Sequence, residues 1–211
     1  MFVITADQID SRNDRDRART MIGGLVAHRP HAFTLPPDQT AGDEIQLLVA
    51  DAAPTLEAVL ALHRSGHWSV GLGVGAVRTP LPAATRHATG GAFIAARDAV
   101  QRAKKAEAHF ALEVDHPNEA ASGIEAVLTM LLLLRQRRTP QGWEAGDLLE
   151  SGMAQTDIAA QLGISTGAVS QRLKTAQYRV DQATRPALVR LLEQLDHASH
   201  TVHDIETDSP E

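Results

Sequence analysis

The sequence lacks cysteine altogether and has no hydrophobic run long enough to cross a membrane. Without cysteine, none of its 211 residues can form a disulfide, a thiolate metal site or a cysteine nucleophile. The longest apolar run, residues 127–134, is far shorter than the roughly 20 residues that a membrane helix needs. The N-terminus is a short β-like run followed by charges, unlike a signal peptide. These absences lead us to expect a soluble cytoplasmic protein without a membrane partner.

Positive charge is also in short supply, since the formal net charge is −6. An acidic chain binds polyanions poorly unless its basic residues are gathered in one place. Six acids lie in the last stretch of the chain: Glu193, Asp196, Asp204, Glu206, Asp208 and Glu211. The segment 156–174 carries Arg172 and Lys174 against Asp157 alone, so a local affinity for phosphate is compatible with the overall charge.

One segment near the C-terminus has the pattern of two short helices joined by a tight turn. It comprises residues 156–174, TDIAAQLGISTGAVSQRLK. Gly163 is typical of the residue that follows a helix with a positive φ, and Ser165 is a good N-cap for a second helix. Val169 and Leu173 recur at i, i+4 and predict the buried face of that helix. Two short helices with a glycine-containing turn between them form a helix-turn-helix.

The second predicted helix exposes short polar groups, an amide and cations between its buried positions. Such side chains are the types that contact base edges and phosphates in the major groove of DNA. An ordinary helical hairpin with a solvated polar face is the alternative, and the combined pattern favours DNA binding. The candidate DNA-binding residues are Ser165, Thr166, Gly167, Ser170, Gln171, Arg172 and Lys174.

The first half of the chain alternates strand-like and helical segments. Strands are predicted at residues 1–6, 31–35, 44–50, 67–77 and 110–114, and helices before Pro30, at 51–63 and at 91–105. The order β-α-β-β-α-β-α-β predicts an α+β domain, with a small sheet and helices on one face. Gly71, Gly73 and Gly75 alternate in the fourth strand, and close approach of another backbone is one reason for such glycines.

From residue 118 onward the sequence turns helical. Residues 124–134 are apolar nearly all round and predict a buried central helix. Thr139 and Pro140 are expected to cap and begin the next helix. A last helix is predicted at 184–197, with Pro186 in its first turn and a stripe of four leucines, Leu188, Leu191, Leu192 and Leu195.

We expect a domain at residues 1–117, a helical domain at 118–198 with the helix-turn-helix at 156–178, and a flexible acidic tail at 199–211. One helix-turn-helix reads only a short half-site, and operators usually pair two of them about 34 Å apart. A homodimer is therefore expected, with the leucine stripe or the 124–134 helix in the seam. Packing of the leucine stripe against other helices of the same chain is the alternative.

Two aspartates lie at the ends of predicted strands and are candidate metal ligands. Asp7 follows the first strand, and Asp43 lies in the turn between the second and third. If those strands are neighbours, the two carboxylates supply hard oxygen ligands that suit Mg²⁺ together with phosphates. Aspartate is also common at strand ends and in turns, so a purely structural role is the alternative.

Four short motifs follow one another along the first half of the chain: TADQID, AGDEIQ, VGLGVGAV and GGAFIAARDAVQRAKK. In this order they resemble the palm core shared by class III nucleotide cyclases and GGDEF diguanylate cyclases. With the helix-turn-helix segment added, residues 1–178 are similar to the SatD family, in which a cyclase-like domain precedes a helix-turn-helix. The resemblance implies a ferredoxin-like, nucleotide-cyclase-like palm sheet followed by an all-α domain. It also implies Asp7 and Asp43 as metal ligands and Arg97 as a nucleotide-binding arginine, with Mg²⁺ and a nucleotide bound.

Three positions depart from the catalytic pattern of that core. Phe93 stands in place of the cyclase asparagine, Gln39 in place of the base-selecting lysine, and Ala41 in place of the first glycine of the diguanylate cyclase signature. A cyclase needs hydrogen-bond donors around the phosphate that it transfers and a tuned base pocket. The resemblance therefore predicts nucleotide or metal binding more than turnover.

We expect a sequence-specific DNA-binding transcriptional regulator whose partner is duplex DNA, with a degenerate N-terminal domain that senses a nucleotide or dimerises. One alternative is a nucleotide cyclase or diguanylate-cyclase-like enzyme with a regulatory helix-turn-helix. Another is an adaptor in which both domains bind only protein. Salt-dependent binding to duplex DNA and product formation from ATP or GTP separate these three functions.

Overall fold

The computed structural model of the protein describes residues 1–10, 17–40 and 42–207, and of residues 200–207 the backbone alone. The chain divides into two compact units. Unit 1 comprises Met1–Thr129 and Leu188–Glu211, and unit 2 comprises Met130–Ala187. The described residues form an α+β structure with a five-stranded mixed sheet and eight α-helices. None of these helices is long and apolar enough to cross a membrane.

The strands are β1 (Phe2–Gln8), β2 (Asp38–Gln39), β3 (Glu44–Val49), β4 (Trp68–Val74) and β5 (Phe110–Val114). Their spatial order is β2-β3-β1-β4-β5. All neighbouring pairs are antiparallel except β4 and β5, which are parallel. Since β1 lies in the middle of the sheet and is buried along most of its length, the first residues of the chain form the centre of unit 1.

The helices are α1 (Arg17–His28), α2 (Ala52–Arg64), α3 (Gly91–Ala103), α4 (Glu119–Gln136), α5 (Pro140–Glu150), α6 (Gln155–Leu162), α7 (Thr166–Thr175) and α8 (Tyr178–Thr207). The predicted order β-α-β-β-α-β-α-β of the first half is confirmed. The compact units divide the chain differently from the expected domains, because α4 and α8 each contribute residues to both units.

The second strand is shorter than predicted and lies further along the chain. Residues 31–35 are irregular, although the backbone N–H of Thr34 donates to the carbonyl of Leu48 at 2.9 Å. Pro36 and Pro37 follow, and proline has no N–H with which to continue a ladder. Regular pairing with β3 is therefore limited to the two residues after the prolines.

Two glycines of β4 allow α3 to lie directly on the sheet. A Cβ atom on Gly73 would lie 2.2 Å from the carbonyl oxygen of Ala92, and one on Gly71 would lie 2.2 Å from the backbone nitrogen of Val100. No side chain fits at such distances, so the close approach that the alternating glycines suggested is confirmed for these two positions.

Helices cover both faces of the sheet, and the expectation of helices on one face was wrong. Side chains alternate along a strand, so Ile4, Leu47 and Leu72 point away from the face on which α3 lies. All three are fully buried, and α2 contacts β1, β3 and β4. The apolar stripe of a helix does not reveal which side of a sheet the helix will cover, so the sequence could not show that α2 and α3 lie on opposite faces.

The edge strand β5 has backbone groups that are satisfied by side chains. The N–H of Leu112 donates to Glu125 Oε2 at 2.7 Å, and its carbonyl accepts from Arg102 Nη1 at 3.3 Å. Arg102 also pairs with Glu125 Oε1 at 2.6 Å and with Glu113. Two charged side chains from α3 and α4 thus occupy positions that a neighbouring strand would otherwise take.

The helix predicted to be buried at 124–134 is only partly so. Ile124, Leu128 and Leu132 are buried, but Val127 is 38% exposed and Met130 is 71% exposed. An apolar run has no polar face from which the solvent side can be recognised, so its periodicity could not separate these positions.

The leucine stripe belongs to a helix that is longer than predicted. Leu188, Leu192 and Leu195 are buried within the chain, as the alternative to a dimer seam required. The helix begins at Tyr178, so Pro186 lies inside it and not in its first turn. It also continues to Thr207 across most of the expected tail, and residues 208–211 lie outside the described part of the chain.

Candidate functional site

The turn between α6 and α7 has the geometry that its sequence predicts. Gly163 follows α6 in the left-handed region, with φ 64° and ψ 34°, where glycine is favoured. The N–H of Ile164 donates to the carbonyl of Ala159 at 3.0 Å. Ser165 is the N-cap of α7, and its hydroxyl oxygen accepts from the N–H of Ala168 at 3.1 Å. The predicted end of the first helix and start of the second are confirmed.

A small apolar core holds α5, α6 and α7 together. Its buried members are Ala145, Ile158, Ala159, Val169, Leu173 and Tyr178. Val169 and Leu173 are the two α7 residues that point into it, as predicted from their i, i+4 spacing. The opposite side of α7 is therefore free to carry polar residues without loss of packing.

Six of the seven candidate DNA-binding residues are exposed to solvent: Ser165, Thr166, Gly167, Ser170, Gln171 and Lys174. Positions 166, 170 and 174 form one row along α7, and positions 167 and 171 form the row beside it, because residues four apart are neighbours on a helix. Arg172 is only partly exposed and pairs with Glu144 of α5 at 3.1 Å. Its guanidinium thus has a protein partner, whereas Lys174 has none in the described part of the chain.

Unit 2 also contains a buried cluster of charged side chains that the sequence patterns did not predict. Asp181, in the first turn of α8, is fully buried and accepts hydrogen bonds from Arg185 Nε at 2.8 Å and from Arg135. Arg138 Nη2 lies 2.7 Å from the same carboxylate, and Arg138 Nε donates to the carbonyl of Ala176 at 2.8 Å. Three guanidiniums, from α4, the α4–α5 connection and α8, therefore converge on one aspartate, and that of Arg138 also binds the carbonyl of the residue that follows α7.

An aromatic ring contributes to the same cluster. The guanidinium carbons of Arg135 and Arg138 lie 4.8 and 4.7 Å from the centroid of the Trp143 ring. Cation–π contacts at this range are worth about 0.5–2 kcal/mol, depending on how far the pair is desolvated. Arg185 makes a further ion pair with Glu150 Oε1 at 2.7 Å, so the cluster links α4, α5 and α8.

Two members of the cluster, Asp181 and Arg135, have pKa values below their ordinary values. Burial opposes ionisation of Asp181, but hydrogen bonds from Arg185 and the charges of the three arginines outweigh it and lower the pKa of Asp181 below its ordinary value. For Arg135, burial outweighs the attraction of Asp181 and lowers the pKa to about 10. Arg135 and the carboxylate of Asp181 are therefore both charged at neutral pH.

Unit 1 contains a separate open cavity of about 890 Å³ above the N-terminal end of α3. Three arginines line it, Arg78, Arg86 and Arg97, together with Glu44 and apolar residues that include Phe93 and Ile94. Arg86 pairs with Asp38 at 3.3 Å, whereas Arg78 and Arg97 have no ion-pair partner in the described part of the chain. The cavity thus offers two unpaired cations beside an apolar surface, the pattern of a site for an anion with an apolar part.

The predicted metal ligand Asp7 has a cation of its own. Its carboxylate pairs with Lys104, which follows α3, and the strand register places it opposite Glu44. Asp43 is partly buried and comes one residue before β3. Among the described residues, no group of three or more histidine, aspartate or glutamate side chains is arranged to hold a metal ion. Asp7 as it stands fits an ion pair better than a bare metal site, and its pairing with Asp43 stays a prediction.

Comparison of this chain with protein-family models, with curated proteins and with solved structures found no match.

Proposed function

We propose that this protein is a sequence-specific DNA-binding transcriptional regulator that reads duplex DNA with α7. The observation that carries the proposal is the exposed double row of α7, in which hydroxyl, amide and ammonium groups lie opposite the buried Val169 and Leu173. In the proposed helix-turn-helix, α6 crosses the backbone while the N-terminal part of α7 enters the major groove. Gln171 is the residue suited to bidentate contact with a base, and Lys174 to phosphate.

The distribution of charge supports this assignment. Unit 2 contains seven arginine and lysine residues against five aspartate and glutamate residues, a formal charge of +2 within a chain of net charge −6. Three of its five acids, Glu144, Glu150 and Asp181, are already paired with arginine. The unit that carries α7 is therefore the basic part of an acidic protein, as binding to phosphate requires.

The test is a variant in which Ser170, Gln171 and Lys174 are all replaced by alanine. These residues lie outside the apolar core, so the variant should fold and melt like the wild type. A good base contact carries about 1–3 kcal/mol of discrimination, so we expect loss of sequence preference and a drop in affinity of at least tenfold. Selection of bound genomic fragments, followed by titration of the best duplex, measures both effects. Unchanged affinity would remove α7 from the DNA interface.

A matched control uses two exposed residues of α8. Arg190 and Gln194 supply the same kinds of group, a cation and an amide, at a spacing of four. Their double alanine variant should bind the selected duplex with wild-type affinity. A similar loss in this control would mean that any reduction in surface polarity weakens binding, which would contradict a specific role for α7.

For unit 1 we propose an effector site, with a nucleotide in the cavity lined by Arg97. In this proposal the phosphates of the nucleotide face Arg78 and Arg97 and bind a Mg²⁺ ion. Asp7 and Asp43 are the predicted carboxylate ligands of that ion. Mg²⁺ usually binds through one or two carboxylates plus substrate phosphates, so two aspartates would be enough protein ligands for the proposed ion. The role of Arg97 is supported by its place in the cavity lining and by its lack of an ion-pair partner in the described part of the chain.

Two local features support binding without turnover. Phe93 is 6% exposed and packs in an apolar cluster with Val3 and Leu48, and its ring cannot donate a hydrogen bond to a reacting phosphate. Gln39, at the base-selecting position, donates its side-chain N–H to the carbonyl of Gly42 at 2.7 Å. The alternative function is a nucleotide cyclase or diguanylate-cyclase-like enzyme, and it needs donors at both positions.

Calorimetry with Mg²⁺ and a panel of purine nucleotides tests the effector site. We expect weak, Mg²⁺-dependent heat that Arg97→Ala abolishes and Asp43→Asn reduces, because each removes one partner of the phosphate–metal group. Arg86→Ala is the control, since Arg86 lines the same cavity but already pairs with Asp38. No heat from any nucleotide would leave unit 1 as a scaffold, and steady formation of a cyclic product would establish the enzyme instead.

The protein is further proposed to act as a homodimer, so that two copies of α7 read two half-sites. Of the two seams considered, the leucine stripe of α8 is buried within the chain, whereas Val127 and Met130 of α4 are exposed. Light scattering at micromolar concentration measures the state directly, and a monomer bound singly to its site would contradict it.

A further inference from the structure

A second surface of unit 2 adjoins α7 and carries residues that the sequence analysis did not assign. It is a cavity of about 290 Å³ formed by α5, α6, α7 and the start of α8. Ser170 and Lys174 contribute to it from α7, and Gln155 from the first position of α6. Gln177 and Arg179 complete its polar lining, while Leu149, Leu173, Tyr178 and Val180 form the apolar part.

The lining is cationic, because it includes lysine and arginine but no aspartate or glutamate. Lys174 and Arg179 are both exposed, and neither has an ion-pair partner in the described part of the chain. The nearest acid in sequence to Arg179 is Asp181, whose carboxylate is buried among Arg135, Arg138 and Arg185. The buried cluster therefore removes the acid that would otherwise neutralise this surface.

The backbone between α7 and α8 places Arg179 at this cavity. Gln177 has a φ of 51°, in the left-handed region that only a few per cent of residues other than glycine occupy. This conformation separates the last residues of α7 from the first of α8. The carbonyl of Ala176, at the same junction, accepts a hydrogen bond from the buried Arg138, and this bond fixes the backbone of the junction.

We propose that this cavity binds a phosphate of the DNA backbone beside the major groove that α7 reads. The inference rests on the proposed function, because Ser170 and Lys174 belong both to the exposed rows of α7 and to this cavity. Hydroxyl, amide and cationic groups are the side chains that contact backbone phosphates and fix the register of a protein on its site. Arg179 is the main new phosphate ligand, since its guanidinium can hold two phosphate oxygens at once.

The experiment titrates a selected duplex and an unrelated duplex at several salt concentrations between about 50 and 200 mM, for wild type and Arg179→Ala. Each neutralised phosphate contributes about −0.9 to the slope of log affinity against log salt, so the slope should flatten by about 1. The loss should be equal for both duplexes, because a phosphate contact carries no sequence information. Arg179→Lys should restore most of the slope.

Arg137→Ala is the matched control, since Arg137 is an exposed arginine of unit 2 that does not line the cavity. Its slope should equal that of wild type. A wild-type protein that binds no duplex would overturn the proposed function and this site with it. Binding by wild type with an unchanged slope in Arg179→Ala, or with a loss confined to one sequence, would overturn the phosphate site alone.

Discussion

The two compact units reach stable packing by opposite means. In unit 1, α3 contacts the backbone of β4 directly, because Gly71 and Gly73 leave no side chain between them. In unit 2, four charged side chains and an indole ring fill the space behind α7. Unit 1 is also acidic and unit 2 basic, with formal charges of −8 and +2 that follow from the total of −6.

Unit 2 shows how a basic unit can bury charged side chains and still keep exposed cations for a ligand. Three guanidiniums satisfy the hydrogen-bonding groups of the carboxylate, but all four charged groups lose their hydration. A buried cluster of this kind is therefore weak evidence for stability. The cluster does fix the positions of α4, α5 and the junction before α8, because all three are linked to one buried carboxylate. Lys174 and Arg179 remain outside it.

The largest effect is expected from Asp181→Ala. Removal of one partner of a buried ion pair typically costs about 3–5 kcal/mol, because the remaining charges stay buried without compensation. Each unit contains one of the two tryptophans, Trp68 in unit 1 and Trp143 in unit 2, so fluorinated tryptophan gives one fluorine NMR signal for each. The Trp143 signal should move to its unfolded position at much lower urea, and the Trp68 signal should move much less.

The control for that variant is Asp98→Ala, which removes an exposed aspartate of α3. It should leave both signals at their wild-type midpoints. Equal destabilisation of both units by Asp181→Ala would contradict this expectation and show that the two units unfold as one cooperative body.

The next largest effect is expected from Gly73→Ala in unit 1. The added Cβ would lie 2.2 Å from the carbonyl oxygen of Ala92 and 2.3 Å from the nitrogen of Ala96. Both are backbone atoms, so they cannot move aside unless α3 itself shifts. Overpacking costs about 1–3 kcal/mol and sometimes more. The midpoint of the Trp68 signal in urea should fall accordingly.

Gly123→Ala is the matched substitution, because a Cβ on Gly123 of α4 meets nothing within 4 Å. Alanine in a helix interior is favoured over glycine by roughly 0.5–1 kcal/mol, so this variant should be slightly more stable than wild type. If both substitutions prove harmless, α3 must be able to move away from β4, and direct backbone packing would not be what stabilises unit 1.

The smallest effect is expected for the stability of unit 2 at low pH. The pKa of Asp181 is lower in the folded state than the unfolded value of about 3.9, so its contribution to stability is fully present above the unfolded value. That contribution is lost as pH falls below about 4 toward the folded pKa. Urea midpoints of the Trp143 signal at pH 7 and pH 3 should therefore fall more in wild type than in Asp181→Asn. The same fall in both proteins would assign the acid sensitivity to other carboxylates.

Local patterns predicted the local parts of the structure well. Gly163, Ser165 and Val169 form the α6–α7 turn and its core through interactions within a dozen residues, which spacing and capping preferences encode directly. The order of strands and helices in the first half was likewise readable, because each element carries its own periodicity. The exposed rows of α7 followed from the same spacing.

Long-range partners were not predictable in this way. Arg135 and Asp181 are 46 residues apart and meet only in the folded unit 2, so the basic run after the apolar segment gave no sign of a buried role. Lys104 reaches Asp7 only because α3 runs along the sheet. Nor could an all-apolar segment show that Met130 is the side open to solvent. Each miss depends on which elements become neighbours, and one-dimensional periodicity does not contain that information.

The paired edge of β5 limits how copies of the protein can associate. Open sheet edges are templates on which a second chain can extend the ladder, and they promote both dimers and fibres. Here Arg102 and Glu125 already occupy the hydrogen-bonding groups of Leu112, and the opposite edge strand has only two residues after a pair of prolines. A continuous sheet running from one copy into the next is thereby disfavoured at both margins. Self-association that keeps this fold is then expected to use surfaces other than the sheet edges, and a rise in concentration should not produce fibres built from continuous sheets of folded protein.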